Sequence, residues 1–458
     1  MNFSSYWAAV LAAFLPIGVA ATGAELQIAT FQEDVTPPVG AILCHNGVPP
    51  AKKIVDPLSA RGVVLWTAED PIVLCAVDWV GIGNEAHDAW REALAEAAGT
   101  TRERVAVHVV HQHDTPGVDY TSERFLAEHG ISGAMFDVAV AERALDRVTR
   151  AVSAAVRNPR PVTHLGLGKG IVEKVASNRR IIGPDGKCGP MRASSCRNEE
   201  LRNAPEGTID PSLRMISFWD EDEPIVCLSY YATHPQSYYR QGGVSWDFPG
   251  IARAARDAAV NSALHVHFNG AGGNIAAGKY NDGSPENRPV LARRLAEGMK
   301  RAWEATEKTP VTASDIRWRL HPVSLPVSKN LDPVAASETL ADEDAEIRAR
   351  VRAARALAFI HRMKSGHQIE LAALDIGSST VLHMPGELCI EYQLAAQEMR
   401  PDRFVCVAAY GDYGPGYICI RDAYAEGGYE PSASRVSPDV EDVLMDGMKA
   451  LLEAAPSE

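Results

Sequence analysis

The sequence predicts an α/β chain of mixed α+β type: one large domain in which mixed sheets are flanked by helices. Three observations carry that expectation. Apolar strand-like runs alternate with amphipathic helical stretches almost throughout. No internal repeat and no Ser/Gly linker divides the chain. Its 458 residues, 46% hydrophobic and 23% charged, have the composition of a globular core rather than a disordered chain.

Tyr6–Ala21 (YWAAVLAAFLPIGVAA) is a long apolar stretch without charge. It is short for a spanning helix, is broken by Pro16, and runs into the small-residue patterns Val19-Ala20-Ala21 and Thr22-Gly23-Ala24. It reads as a secretory signal peptide over 1–24, leaving 25–458 as a secreted or periplasmic domain. Arg61–Trp66 and Ile72–Val80 read as buried strands, Asn84–Ala98 as a helix closed by Gly99, and Val105–Val110 as another strand. Met135–Val156 sets Val138, Ala141, Leu145, Val148, Val152 and Val156 on one helical stripe, a pattern repeated by Leu291, Leu295, Met299 and Trp303. Ile171–Asp210 is aperiodic and rich in Gly, Pro, Ser and Arg, a length of loop that often carries function. Glu338–Met363 reads as one highly charged helix with a solvated face, and a last helix spans about Val436–Ala454.

Lys+Arg 45 against Asp+Glu 59 gives a net charge of −14 with no dense cationic run. That disfavours nucleic acid as a partner and leaves only a local basic pocket for anions. Eight cysteines in so long a chain do not make a disulfide scaffold. Cys75, Cys227, Cys389 and Cys406 lie in apolar runs as small core residues, whereas Cys188 and Cys196 flank the loop CGPMRASSC and are candidates for a bridge in an exported chain. Without a CxxC, a thiolate zinc site is disfavoured.

Five stretches can carry chemistry. In Val109-Val110-His111-Gln112-His113-Asp114-Thr115-Pro116-Gly117, two imidazoles two residues apart project from one face of a strand end. They are either metal ligands or hydrogen-bonded histidines. His234, in LSYYATHPQSYY, follows an apolar strand and precedes Pro235, so it is structural or ligating. Downstream, Asp247 in Ser-Trp-Asp-Phe-Pro-Gly has the position of a helix N-cap. Glu387, in VLHMPGELCIE, opens a helix after Pro385-Gly386. It is a dipole-favoured acid or a carboxylate ligand at a strand-to-helix corner, with Glu391 its competitor. The run AYGDYGPGYICIRDAYAEGGY supplies Tyr410, Tyr413, Tyr417, Tyr424 and Tyr429 for turn packing, oxyanion donation or phenolate ligation. Gly273–Lys279 matches GxxxxGK, but Tyr280 stands where magnesium binding needs Ser or Thr, so it reads as a glycine-lined pocket wall. Neither GxSxG nor HExxH occurs, which removes the α/β-hydrolase nucleophile and the common zinc-peptidase helix.

The order of these pieces is His-x-His, Asn-Arg, Ala-Thr-His-Pro, Asp-Phe-Pro-Gly, a Gly-rich strand end, Pro-Gly-Glu, then a Tyr-rich run. That order resembles the catalytic domain of the neutral/alkaline (non-lysosomal) ceramidase family from Asp34-Val35-Thr36-Pro37-Pro38-Val39-Gly40 to about Tyr429. The resemblance implies one Zn2+ held by His111, His234, Glu387 and Tyr417. It further implies that His113 stands behind the ligands as a proton shuttle, that Arg179 faces the substrate, and that Tyr429 lies near the reacting carbonyl with Tyr424 its competitor. Such a zinc lowers the pKa of water toward 7 for attack on an amide. This chain differs in reading Val-His-Gln-His-Asp-Thr-Pro for the family's Thr-His-Thr-His-Ser-Gly-Pro, and Ala276 where the family has Ser. It also stops before the family's C-terminal immunoglobulin-like domain. The implied activity is therefore zinc hydrolysis of an N-acyl amide, ceramide-like or another lipid-like or small-molecule amide, with transient membrane-surface contact. The alternatives are a metallohydrolase of esters or small amides and an exported non-catalytic binding protein of the same fold.

Overall fold

The structure, a computed structural model, describes residues 25–453, so the segment read as a signal peptide lies outside the described residues. Three sheets form its frame. The first orders Val105–Val109, Ile72–Val77, Ser59–Trp66, Leu26–Asp34 and Arg160–Val162. The second orders Leu264–Asn269, Glu223–Tyr231, Ser212–Asp220, His164–Ile171 and Glu307–Pro310. The third orders Ile316–Val323, Ile369–Ile376, Ser379–His383 and Phe404–Ala408. Each is antiparallel except for one parallel pair at its edge: Ile72–Val77 with Val105–Val109, Glu223–Tyr231 with Leu264–Asn269, and Ser379–His383 with Phe404–Ala408.

Both faces of every sheet are covered, which is why the strands read as continuous apolar runs rather than alternating ones. Side chains of one parity, including Ile28, Leu65, Phe218, Val266, Leu374 and Val381, share a core between the sheets. The other parity meets helices. Met215 and Cys227 cluster with Leu291 and Leu295 of Asn287–Glu304, and Val73 and Val107 with Trp90 and Leu94 of Glu85–Ala98. That last helix stops at Gly99, whose φ of +68° is the left-handed conformation of a helix C-cap. Among the described residues no helix is long and apolar enough to cross a membrane.

Several expectations need correction. The helix expected over Met135–Val156 is Val138–Ala155, because the Asp137 carboxylate accepts from the Val140 N–H and caps it there. The single charged helix of Glu338–Met363 is two helices, Pro333–Ala341 and Ile347–Lys364. Between them the Asp344 N–H donates to the Asp342 carboxylate at 3.0 Å, a local turn that competes with the helix. The second helix also buries Val351, Ala354, Ala358 and Phe359, so it is more than a solvated face. Glu387 does not open a helix. It lies in the two-residue strand Glu387–Leu388, and the helix begins at Ile390. Cys188 and Cys196 are free thiols with different neighbours: the Cys188 sulfur stands over Gly428, and buried Cys196 faces the Asn198 carbonyl. The long loop is ordered by buried Arg192, which donates to the carbonyls of Asn178, Leu201, Ala204, Pro205 and Glu206.

Burial pushes the imidazoles of His108 and His267 down to about 3 and that of His265 down to about 4. Unfolded, each takes a proton near pH 6.5, whereas folded it stays neutral until far lower pH. Below pH 6.5 the unfolded chain therefore binds more protons, and stability falls as pH falls. Asp114, pushed up to about 6 by burial, opposes this with one proton in the other direction. The urea midpoint is expected to be lower at pH 5 than at pH 7.5. A midpoint that is unchanged or higher at pH 5 would contradict the assignment of buried neutral imidazoles.

Candidate metal centre

The three parallel pairs end at one place. The chain reaches His111 just past Val109, His234 just past Tyr231, and Glu387 just past His383. The crevice beyond the carboxyl ends of parallel strands is the usual ligand position in open α/β sheets. Here the ends are tied across sheets. The Val109 N–H donates to the Tyr410 carbonyl and the Ala409 N–H to the Asn269 carbonyl, each at 3.0 Å. The Asn269 side chain donates to the Val110 carbonyl at 3.2 Å.

His111 takes φ +80°, a left-handed conformation that costs a non-glycine residue on the order of 1–3 kcal/mol. The surroundings over-determine it. Its Nδ1–H donates to the Val80 carbonyl at 2.6 Å, and the Tyr410 ring stacks on it at 4.6 Å. Two residues before Val80, buried Asp78 is paired with Arg253 at 2.7 Å, which fixes that strand end. His234 likewise donates from Nδ1 to the Gly272 carbonyl at 2.7 Å. Carbonyls only accept, so both Nδ1 atoms carry hydrogen and both Nε2 atoms turn inward.

The two Nε2 atoms meet at Glu387, whose Oε2 is 3.1 Å from His234 and 3.3 Å from His111. His113 Nε2 lies 3.2 Å from His111 Nε2, and ligand atoms of His111, His113 and His234 all fall within 4.8 Å of one another. The other Glu387 oxygen accepts from the Tyr413 hydroxyl at 2.5 Å. Tyr417 is brought beside Glu387 by a parallel bridge in which the two residues are direct partners. Its hydroxyl is 3.3 Å from His234 Nε2 and accepts from Arg179 at 3.2 Å. Arg179 is itself held by the Gly273 carbonyl at 2.6 Å and by Glu430 at 3.0 Å.

His111, His113, His234, Glu387, Tyr417 and Arg179 thus stand together. Tyr429 is at the rim, 47% exposed, its ring 5.6 Å from that of Tyr417. Tyr424 points elsewhere, its hydroxyl 3.0 Å from both Ser434 Oγ and the Val436 carbonyl. Glu391 accepts from Asn274, and Asp247 pairs with Arg288 at 3.2 Å, so neither acid reaches the cluster. Asp247 is the first residue of the helix Asp247–Ala259 rather than its N-cap. The Gly273–Lys279 stretch borders the centre, the Gly273 carbonyl on Arg179 and that of Ile275 near His234, while Lys279 donates to the Arg202 and Ala204 carbonyls. Carbonyls turned toward the site are the opposite polarity to a phosphate loop. Sequence reasoning named Tyr413 only as one of five tyrosines with a choice of roles, not as the donor to Glu387, and it passed over His45, which stacks on Tyr413 at 5.5 Å. The Gly/Tyr-rich run is a signal for Tyr413; no pattern marks His45.

Burial, assisted by Arg179, pushes His234 down to about 4. Burial together with the neighbouring His111 and His234 holds His113 well below the usual imidazole range. Burial alone would raise Glu387, but His111 and His234 outweigh it and keep the carboxyl well below its usual range. Burial holds Tyr417 well above the ordinary phenol range. Inward lone pairs of buried imidazoles therefore crowd a carboxylate. A divalent cation satisfies them all at once, which a single proton cannot, and the N and O donor set suits such an ion. The centre opens into a cavity of about 530 Å³ that also exposes Tyr239, Tyr413 and Tyr429.

A Cβ at Gly273 would lie 2.4 Å from the Glu387 carbonyl oxygen and 2.9 Å from that of Leu388. Gly273→Ala is expected to cost about 1–3 kcal/mol of stability and to weaken metal binding by displacing Glu387. Thermal melting and metal titration check this; wild-type values for both would contradict the packing described.

No family model matches the chain, and no curated protein matches it by sequence. Solved structures do. A crystal structure of neutral ceramidase from Pseudomonas aeruginosa superposes with a TM-score of 0.68 at 17% identity, covering 95% of this chain and 76% of that one. A ceramidase complexed with C2 gives the same TM-score, identity and coverage. The chain therefore has the mixed α/β fold of neutral ceramidase, with a buried histidine cluster at the shared ends of its parallel strands.

Proposed function

We propose that this chain is a zinc-dependent hydrolase of linear N-acyl amides, with His111, His234 and Glu387 holding the ion and Tyr417 beside them. One observation carries the reading: His111 Nε2 and His234 Nε2 converge on Glu387 Oε2 at 3.3 and 3.1 Å while their Nδ1 atoms are committed to backbone carbonyls. Two neutral imidazoles and a carboxylate are a hydrolytic zinc set. Zinc held there would polarise an acyl carbonyl and lower the pKa of water toward neutrality.

The remaining roles belong to the chain itself. His113 is half-buried on the cavity wall and its low basicity keeps it neutral at pH 7, free to take a proton and to release it readily to a leaving amine. Tyr417 would be the fourth side chain around a bound ion, oriented by Arg179, which Glu430 and Gly273 hold in place. Tyr429 at the rim can present its hydroxyl to the substrate carbonyl. A lipid-like acyl amide is the substrate class supported by the fold shared with ceramidases, one of them complexed with C2. Export under the 1–24 signal peptide completes the proposal, with zinc acquired outside the cytoplasm.

The test is metal analysis of purified protein and of His234→Ala, each assayed against N-acyl amides of several chain lengths. About one zinc per chain with amide turnover in the wild type, both lost in the variant while the fold is retained, is the expected result. Metal-free protein that still hydrolyses amides would end the reading.

A further inference from the structure

The charged helix Ile347–Lys364 carries Arg348, Arg352 and Arg355 at i, i+4 and i+7, hence on one face. That face lines the cavity in front of the histidine cluster, where Arg240 and Arg435 join it. Several arginines with little exposure pair with acids, Arg253 with Asp78, Arg362 with Asp88 and Arg180 with Glu426, whereas buried Arg192 and Arg350 are held by backbone carbonyls. Among the described residues no carboxylate forms an ion pair with any of these five, and Glu387 is the one carboxylate lining the cavity. Glu387 is already engaged by Tyr413 and the two imidazoles.

Arg240, Arg348 and Arg352 are exposed and Arg355 and Arg435 half-buried, so the cluster sets up a positive potential at the cavity mouth. Like charges at i, i+4 destabilise a helix, and Arg348 in the first turn sits against the positive end of the helix dipole. Arg355 lies 5.5 Å from the centroid of the Tyr413 ring, and Arg435 donates to the Gly414 carbonyl at 3.0 Å. Burial and the nearby Arg355 push Arg435 down to about 10, a sign of crowded positive charge. All of this occurs in a chain of net charge −14, so the cations are concentrated at this mouth against the overall balance.

Resting on the amidohydrolase reading above, we infer that the substrate carries a fixed negative charge, a carboxylate, phosphate or sulfate group, which the arginine wall binds while the amide lies at the histidine–glutamate centre. Guanidinium forks match such oxyanions with paired hydrogen bonds. Ceramide itself offers no such group, so the wall separates this chain's substrate class from that of the proteins whose fold it shares.

The experiment compares linear acyl amides of equal length that are neutral, charged at the acyl end (a dicarboxylic monoamide), or charged on the amine side (an N-acyl amino acid). Each is assayed with wild-type protein and with Arg352→Gln/Arg355→Gln. One charged series is expected to exceed the neutral one in kcat/KM by about tenfold or more, and the ratio should collapse in the variant, persist in Arg352→Lys/Arg355→Lys, and fall with added salt. Which charged series wins assigns the end of the substrate that meets the wall. Should the double variant not fold, Arg348→Gln/Arg352→Gln, both exposed, replaces it. Calorimetric binding of decanoate against decanol, in wild type and variant, separates the two readings. Arg-dependent decanoate binding without amide turnover would defeat the amidohydrolase reading and leave the anion site standing. Turnover with no preference for charge, and decanoate binding indifferent to the substitutions, would overturn the anion site alone.

Discussion

The candidate centre depends on a small set of hydrogen bonds that tie three sheets together at the ends of their parallel strands. The backbone links from Val109 to Tyr410 and from Ala409 to Asn269, with the Asn269 side chain returning to Val110, join the three edge pairs. Each pair then delivers the residues just beyond its strand ends: His111, His234, or Glu387 with Tyr417. The apolar core between the sheets fixes their separation, and close packing of that kind resists small displacements. A cluster assembled from residues 111, 234 and 387 can therefore be positioned to within a hydrogen-bond length although its members are distant in the chain.

Charge is distributed in two zones around this junction. Inside, imidazoles and a carboxylate are stripped of water and oriented by backbone carbonyls and by Tyr413, which leaves their lone pairs to a cation. Outside, the mouth is lined by guanidiniums without acidic partners. A buried carboxylate is expensive unless paired; the Tyr413 hydroxyl donates to one Glu387 oxygen, and the other faces the two imidazole Nε2 atoms, where a cation would complete the pairing. The left-handed turn at His111 stores strain at the same point, which is where function commonly concentrates it.

Much of this was legible in the chain, for physical reasons that differ by element. Strands buried on both faces leave unbroken apolar runs, so Ile72–Val77 and Val105–Val109 declare themselves, and the polar residues that end such runs mark strand mouths. His111, His113, His234 and Glu387 all stand at such mouths. The non-local features are the hidden ones. The bridge that sets Glu387 beside Tyr417 pairs residues thirty apart through two-residue strands too short to leave a period. The break between Ala341 and Ile347 is a local turn at Asp342, whose carboxylate accepts from the Asp344 N–H and whose carbonyl accepts from the Ala345 N–H. The free thiols of Cys188 and Cys196 follow from neighbours that only the fold brings in. The arginine face of Ile347–Lys364 has a visible helical spacing, yet that it borders the cavity follows from where the fold places the helix, whose buried residues Ala354 and Ala358 pack into the protein.

Zinc at this junction is tested most sharply by anomalous difference maps collected from crystals of the full chain on both sides of the zinc absorption edge. A single strong peak is expected, present above the edge and absent below it, in bonding contact with His111 Nε2, His234 Nε2 and a Glu387 oxygen. A map without that peak from zinc-replete protein, or a peak ligated by other residues, would contradict the proposed centre.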